Sequence, residues 1–221
     1  EADEFDRSFL SLPPTIAVLT TLETDHLDCY RDLEDIKGAF VQFATKVPFY
    51  GFVVLCLDEP ALQDIMQKLS HKKIISYGLS PQADLQAVDI TFKENTSKFT
   101  VIRDYNELGR IELQSPGVHN VQNALAAIAV GLELGIPFEK IKAGIAKFTG
   151  VYRRWEKKGE ENGISVYDDY AHHPTECKAT LSGIKSGWRR RVVCVFQPHL
   201  YSRTRDFYEE FGKSFMLSDV L

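Results

Sequence analysis

The chain has 221 residues, of which 44% are hydrophobic and 26% are charged, a balance that is ordinary for a globular protein of one or two domains. Its formal net charge of -5 provides no positive field for nucleic acid, and Arg189-Arg190-Arg191 is its only run of three basic residues. No apolar run approaches the roughly 20 residues of a membrane span. Neither nucleic acid nor a membrane is therefore an expected partner.

The four cysteines, Cys29, Cys56, Cys177 and Cys194, are widely spaced and form no Cys-x-x-Cys pair. This usage favours a reducing compartment and argues against a zinc site. The chain begins on the acidic cluster Glu1-Ala2-Asp3-Glu4 without Met and ends where a new apolar run starts. We therefore expect it to be a piece of a longer protein.

The first third of the chain alternates β-branched runs with stretches of helical periodicity. Strands are predicted at 16–21, 52–57 and 73–77, and helices are predicted from Leu33 and around 62–69. Such alternation is typical of a parallel sheet covered by helices. The sequence therefore predicts an α/β fold.

The pattern changes after Gln86. Alternating segments separated by turn-rich stretches predict antiparallel hairpins, with strands at 87–92, 98–103 and 110–113. Helical spacing returns after Pro116-Gly117 and, after a break at Gly135-Ile136-Pro137, continues through Phe148. We predict a domain boundary near Gly150.

Two polar segments near the C-terminus carry most of the functional information: Asp168 to Glu176 and Phe196 to Asp206. A hairpin is predicted at 155–167, and its second apolar run, 164–167, precedes the first segment, while the run 191–195 precedes the second. Each segment leads into a helical pattern. Both are thus predicted to be strand-loop-helix corners, where parallel sheets usually bind ligands. Acidic, aromatic, imidazole and guanidinium groups would converge there, although any one His or Arg could instead be solvated or cap a helix.

A third motif, His119-Asn120-Val121-Gln122-Asn123-Ala124, opens an Ala-rich helical stretch. Asn120 and Asn123 lie three positions apart, on one helical face. A carboxamide can donate and accept at once, which matches the N6 amine and N7 of adenine. Asn120 could instead be the helix N-cap, whereas Asn123 has little structural reason to lie inside the first turn.

Gly212-Lys213-Ser214 resembles the end of a phosphate loop, but the position five before Gly212 is Phe207, and the triplet lies in an amphipathic helical pattern. The chain therefore has no GxxxxGK[ST] motif. If the protein uses ATP, its phosphate loop is expected outside these residues.

Six ordered motifs resemble the Mur ligase family, and together they cover essentially the whole chain. They are Glu1 to Asp6, Asp25 to Asp28, His119 to Ala124, Arg153 to Glu156, Asp168 to Glu176 and Phe196 to Asp206. The resemblance implies a three-domain cytoplasmic enzyme of peptidoglycan synthesis. Residues 1–150 would form the latter part of its central ATP-binding domain, and residues 151–221 the first part of its Rossmann-like C-terminal domain.

The resemblance also implies roles for individual residues. Contacts with ATP are implied at His119, Asn120, Asn123, Arg154 and Asp169. The muramoyl and alanine site is implied at Tyr170, His172, His199 and Arg203, with the last three as the catalytic set, and Mg²⁺ ligands are implied at Glu1 and His26. Leu200 departs from members that have Arg after this His, which puts one guanidinium contact to the substrate in question.

The reaction implied by the resemblance is the ATP-dependent joining of L-alanine to UDP-N-acetylmuramate through an acyl phosphate. Phosphoryl transfer needs mostly positioning and charge neutralisation, which fits cationic side chains and Mg²⁺ in place of a Ser or Cys nucleophile. Two alternatives remain open: a ligase that recycles murein tripeptide, and a non-catalytic nucleotide- or sugar-binding module. We also expect weak self-association, and no turnover by these 221 residues alone.

Overall fold

The computed structural model describes residues 3–26 and 28–221 and divides into two compact units. The first comprises the described residues up to Val88 together with Thr100–Gly109 and Gln122–Ile141. The second comprises Asp89–Phe99, Arg110–Val121 and Lys142–Leu221.

A six-stranded sheet follows the chain order of its strands, β1 (Ile16–Leu19), β2 (Phe52–Cys56), β3 (Ile74–Gly78), β4 (Leu85–Lys93), β5 (Thr96–Arg103) and β6 (Asn106–Leu113). The first four strands pair in parallel, with Ile16 opposite Phe52, Val53 opposite Ile74, and Tyr77 opposite Leu85. All five residues of β2 are buried. This burial explains its unbroken apolar sequence, since parallel strands are covered on both faces.

Helices connect these strands, and their ends are fixed by local sequence. Helix α1 (Leu33–Thr45) begins after Asp32, whose side chain accepts from the Asp35 amide at 2.9 Å, as an N-cap does. Helix α2 (Pro60–Met66) has its proline at the first position, where a missing amide hydrogen costs nothing. Helices α3 (Val118–Glu133) and α4 (Phe138–Ala146) follow the last strand of the sheet.

Residues 156–214, all in the second unit, form a two-stranded antiparallel sheet and three α-helices. The strands are β7 (Glu156–Glu161) and β8 (Ile164–Asp168), and the helices are α5 (Pro174–Gly187), α6 (Tyr201–Asp206) and α7 (Tyr208–Ser214). Cys177, Leu181 and Ile184 of α5 pack with Phe211 and Phe215 in a small hydrophobic core. Short 3-10 helices lie at Ser8–Ser11 and Gln67–Leu69 in the first unit and at Phe215–Leu217 in the second.

The predicted α/β fold with its mostly parallel sheet is confirmed, but the predicted strand at 191–195 is wrong. In the described chain this run forms a single parallel bridge, Val193 with Val220. The Val195 side chain is 95% exposed. An apolar run becomes a strand only where a neighbouring segment pairs along its length, and here the pairing ends after one residue pair.

The parallel setting predicted for the loop after β8 is also wrong. In the described chain, β8 pairs only with β7, and the pairing is antiparallel. The loop that begins after Asp168 therefore extends from a hairpin strand. Separately, no helix within the described residues is long and apolar enough to cross a membrane.

Candidate functional site

The turn that carries Arg154 has an unusual backbone conformation. Arg153 and Trp155, on either side of Arg154, have φ angles of 55° and 49°, in the left-handed region that L residues rarely occupy. The Arg153 carbonyl accepts from the Tyr170 amide at 2.8 Å, and the Trp155 amide donates to Asp169 Oδ2 at 2.9 Å. Such conformations persist only where surrounding contacts hold them. The fold therefore fixes the backbone on both sides of Arg154.

The Arg154 side chain is tied to the start of α5 through Glu176. Arg154 Nη1 lies 2.9 Å from Glu176 Oε1. Glu176 Oε2 accepts from the backbone amides of His172 and His173 at 2.8 and 3.1 Å, and the His173 ring accepts from the Thr175 amide, which completes a capping box. Burial raises the pKa of Glu176, but the hydrogen bonds from His172 and Arg154 outweigh it, so the net pKa is lowered.

Asp169 accepts hydrogen bonds from three different segments. Its carboxylate accepts from the Trp155 amide at 2.9 Å, the Ala171 amide at 2.8 Å and Thr180 Oγ1 at 3.4 Å. Asp169 thus joins the Arg154 turn, the loop after β8 and helix α5. These contacts give this carboxylate a structural role whether or not it also contacts a nucleotide.

His119 lies over Gly117 at the start of α3. A Cβ atom at Gly117 would lie 2.8 Å from His119 Cε1, and Gly117 has a φ of 96°, so this position requires glycine. Burial lowers the pKa of His119, the positive charge of Arg154 lowers it further, and the negative charge of Asp169 opposes both. The structure therefore groups three of the residues predicted to contact ATP: His119, Arg154 and Asp169.

The two asparagines of α3 have different surroundings. The Asn120 amide donates to the Pro116 carbonyl at 2.7 Å, and the helix begins at Val118, so the interpretation of Asn120 as the N-cap is wrong. Asn123 is exposed and belongs to the first unit. Its side chain is thus accessible to a ligand.

Tyr170 and His172 lie together in the loop after β8. Their ring centroids are 4.8 Å apart, and His172 Nδ1 lies 2.8 Å from the Tyr170 carbonyl oxygen. A carbonyl can only accept, so Nδ1 carries the proton and, in the neutral ring, Nε2 is the acceptor nitrogen. This tautomer gives His172 a basic nitrogen.

The second predicted loop places its residues differently. His199 is exposed, and Leu200, directly before α6, has a φ of 66°, which is an outlier for a branched side chain. Arg203 is only 7% exposed. The His173 and Phe207 rings lie 5.0 Å apart, so the N-cap of α5 packs against the residue that follows α6.

A cavity of about 380 Å³ lies within the second unit. Its lining combines amides, cations and aromatic rings, including Asn95, Gln114, Tyr152, Arg154, Trp155 and Tyr167. Among the residues predicted to contact ATP, Arg154 is the one that lines it. Sequence reasoning assigned no role to Asn95 or Tyr167.

The described residues alone do not form the predicted metal site. His26 belongs to the first unit, and its Nε2 lies 3.2 Å from Glu4 Oε1 and 3.7 Å from Asp25 Oδ2. Within residues 3–26 and 28–221, no group of three His, Cys, Asp or Glu side chains could hold a metal ion. Glu1, the other predicted ligand, lies outside the described residues.

Sequence reasoning missed Asp58, which follows the buried strand β2. Its carboxylate accepts from the amides of Leu79 and Ser80 at 2.7 and 3.0 Å and from Gln122 Nε2 at 2.7 Å. An acidic residue at the carboxyl end of a parallel strand was a usable signal. The three hydrogen bonds show that Asp58 organises this edge of the first unit.

Known proteins match the chain over its whole length. The family model described as the Mur ligase middle domain matches residues 2–131, and the one described as the Mur ligase glutamate ligase domain matches residues 153–221. The UDP-N-acetylmuramate--L-alanine ligase of Desulfatibacillum aliphaticivorans is 52% identical over 222 residues, a match that covers 100% of this chain and 48% of that protein. The chain spans about half the length of the curated relatives it matches.

Solved structures show the same relationship. The UDP-N-acetylmuramate-alanine ligase MurC from Thermotoga maritima superposes with a TM-score of 0.81 at 26% identity, over 99% of this chain and 47% of that one. A murein peptide ligase from Psychrobacter arcticus superposes with a TM-score of 0.62 at 28% identity, over 95% of this chain and 43% of that one. The two family matches, the sequence identity and the shared fold together establish that the chain belongs to the Mur ligase family.

Proposed function

We propose that the chain is part of an ATP-dependent ligase that joins L-alanine to UDP-N-acetylmuramate in peptidoglycan synthesis. The observation that carries this proposal is the 52% identity, over the whole chain, with a relative that bears this ligase's name. Because such relatives are about twice as long, the activity is proposed for a protein of their full length. We propose a cytoplasmic location for the protein, and no nucleic acid or membrane as partner.

The nucleotide is proposed to contact His119, Asn120, Asn123, Arg154 and Asp169. The grouping of His119, Arg154 and Asp169 in the second unit supports this assignment. A domain boundary near Gly150 stays a proposal, supported by the interval of 132–152 between the two family matches.

The proposed reaction has two steps. The γ-phosphoryl group of ATP moves to an oxygen of the muramic carboxylate, which breaks the bond to ADP and forms an acyl phosphate. The amine of L-alanine then attacks the acyl carbon, phosphate leaves with the bridging oxygen, and the amine loses a proton. Cations around the phosphoryl group would offset its charge.

Residues of the two C-terminal loops are proposed to hold the acceptor substrates. His172 Nε2 would accept the proton from the attacking amine, since Nδ1 donates to the Tyr170 carbonyl. Arg203 would hold the alanine carboxylate by a bidentate contact. His199 and Tyr170, both exposed, would complete the muramoyl site.

Mg²⁺ is proposed as the cation that accompanies ATP, on the family resemblance. When bound, it would neutralise charge on the transferring phosphoryl group. The described residues do not by themselves fit such a site, because His26 is a nitrogen donor and Mg²⁺ prefers oxygen. Neither step of the proposed reaction is therefore assigned to a metal ligand of this chain.

The test is a ligation assay with the full-length protein, ATP, Mg²⁺, UDP-N-acetylmuramate and L-alanine. Phosphate should be released in equal amount to the amide formed, and omission of any substrate should abolish amide formation. Preformed murein tripeptide should replace L-alanine poorly, whereas its preferential use would support the recycling ligase instead. A protein that binds ATP without forming amide would support the non-catalytic alternative.

A further inference from the structure

The turn between β4 and β5, Glu94-Asn95, is the hairpin tip, and it packs against residues far along the chain. The Glu94 amide donates to the Gly187 carbonyl at 2.9 Å. A Cβ atom at Gly187 would lie 2.7 Å from the Glu94 carbonyl oxygen, so this backbone contact requires glycine. The hairpin tip and Gly187 both belong to the second unit, which fixes the position of the tip within that unit.

Asn95 uses both ends of its side-chain amide. Its Oδ1 accepts from Trp155 Nε1 at 2.9 Å, and its Nδ2 donates to the Tyr167 hydroxyl at 2.9 Å. The indole nitrogen can only donate, so it selects this orientation of the amide. Trp155 and Tyr167 also stack, with centroids 4.0 Å apart and planes 5° from parallel. Asn95 therefore locks an aromatic pair 60 and 72 positions away.

Trp155 is held at two points in addition to this stack. Its backbone amide binds Asp169, and its indole N–H binds Asn95. Its φ of 49° is one that surrounding contacts must maintain. Arg154 precedes Trp155 directly and lines the same cavity as Asn95, so the direction of the Arg154 side chain depends on how firmly Trp155 is held.

We propose that Asn95 is a positioning residue for the nucleotide, which acts through Trp155 to fix Arg154. The inference rests on the proposed function, since it takes Arg154 as a contact with ATP. Asn95 is not proposed to touch the reacting groups. Its loss should weaken ATP binding while the chemistry of the bound complex changes little.

The experiment compares Asn95→Leu, which removes both hydrogen bonds at similar size, with Asn95→Asp in the full-length protein. In Asn95→Asp the carboxylate can accept from Trp155 Nε1 and from a reoriented Tyr167 hydroxyl, so we expect partial rescue. Asn106→Leu is the matched control, because the Asn106 amide binds the Asp104 carbonyl in its own hairpin turn.

Asn95→Leu should raise the ATP KM roughly tenfold, the effect of losing one charge-assisted contact between Arg154 and the nucleotide, with the alanine KM unchanged. Trp155→Phe, which keeps the stacked ring but removes the indole N–H, should reproduce part of this increase. In an Arg154→Ala background, Asn95→Leu should raise the ATP KM little further, because both changes affect the same contact between Arg154 and ATP. Full additivity of the two changes would overturn the inference, as would an ATP KM equal to that of the parent.

Tryptophan fluorescence tests the same contact without turnover. Loss of the hydrogen bond to Trp155 Nε1 should shift the emission in Asn95→Leu, and Trp155→Phe should abolish that difference.

A purely structural role of Asn95 would lower the melting temperature and the kcat together without a selective change in the ATP KM. A parent without ATP-dependent ligation refutes the proposed function, whereas an active parent with an unaffected Asn95→Leu variant refutes only this inference.

Discussion

Two side chains that the family resemblance assigns to ligand contacts differ in their exposure to solvent. Asn123 is exposed on α3, whereas Arg203 is 7% exposed on α6. An exposed carboxamide has no packing to lose, so its substitution reports on ligand binding. A buried guanidinium can serve both the fold and a substrate, so its substitution must be conservative and paired with a stability measurement.

If the Asn123 amide contacts adenine, Asn123→Ala should raise the ATP KM. The increase should correspond to a loss of about 1 to 3 kcal/mol of binding free energy. Alanine favours a helix more than asparagine does, so the melting temperature should stay equal or rise. Steady-state kinetics with ATP as the varied substrate provide the measurement. An unchanged ATP KM would remove Asn123 from the nucleotide site.

Arg203→Lys keeps the positive charge but loses the planar pair of donors. We expect the alanine KM to rise roughly tenfold, the effect of one charge-assisted hydrogen bond, with the ATP KM unchanged. The melting temperature of the same variant measures any structural cost. Alanine kinetics equal to the parent's would refute the contact with the carboxylate.

The lowered pKa of His119 predicts a pH effect on stability. Burial is its main cause, with Arg154 adding to it and Asp169 opposing it, from an ordinary value of 6.5. As the pH falls below about 6.5, the unfolded chain binds the proton first, so stability is lost until the folded pKa is reached. His119→Gln should reduce the fall in melting temperature between pH 7 and 5. Identical pH profiles of parent and variant would contradict this.

The roles of single residues were only partly predictable. The family resemblance assigned His119, Arg154 and Asp169 to contacts with ATP, and that assignment stays a prediction. The charges of Arg154 and Asp169 shift the pKa of His119 in opposite directions. Asn95 could not be found, because its contact with Trp155 joins residues 60 positions apart. No local pattern encodes such a pairing.

At the scale of elements, the capping box of α5 links local structure to the site. Glu176 binds the amides of His172 and His173 and pairs with Arg154. The cap starts the helix and the ion pair orients the guanidinium, so one side chain performs both tasks. The usual signature has Ser or Thr at the N-cap, and His173 in that place hid the motif from sequence reasoning.

Glu176→Ala should therefore cost about 1 to 2 kcal/mol of unfolding free energy and also weaken ATP binding. Glu176→Gln is the matched control, because its amide oxygen can still accept from the backbone while the charge facing Arg154 is lost. We expect Gln to restore most of the stability but not the ATP affinity, as measured by urea unfolding and ATP kinetics. An Ala variant as stable as the parent would show that the cap contributes nothing.

Hydrophobic periodicity predicted the helices and strands correctly where a strand pairs with a neighbour close in the sequence. The helix predicted from Leu33 is α1, and the hairpin predicted at 155–167 corresponds to β7 and β8. The run 191–195 has the composition of a strand, but its described partner reaches only Val193. Composition records a preference for extended structure, and it does not show whether a partner strand lies alongside.

At the scale of the whole molecule, the proposed function rests on the family relationship. The chain spans about half of its curated relatives and matches both a middle and a C-terminal domain model. It contains no GxxxxGK[ST] sequence. The proposed phosphoryl transfer therefore needs the full-length protein, and the mechanism must be tested there.

The most direct measurement follows an oxygen atom. UDP-N-acetylmuramate labelled with ¹⁸O in its carboxylate is incubated with the full-length protein, ATP, Mg²⁺ and L-alanine, and the products are analysed by mass spectrometry. An acyl phosphate intermediate predicts one labelled oxygen in each inorganic phosphate released, with unlabelled ADP. Label in AMP, or unlabelled phosphate beside newly formed amide, would contradict the proposed ligase mechanism.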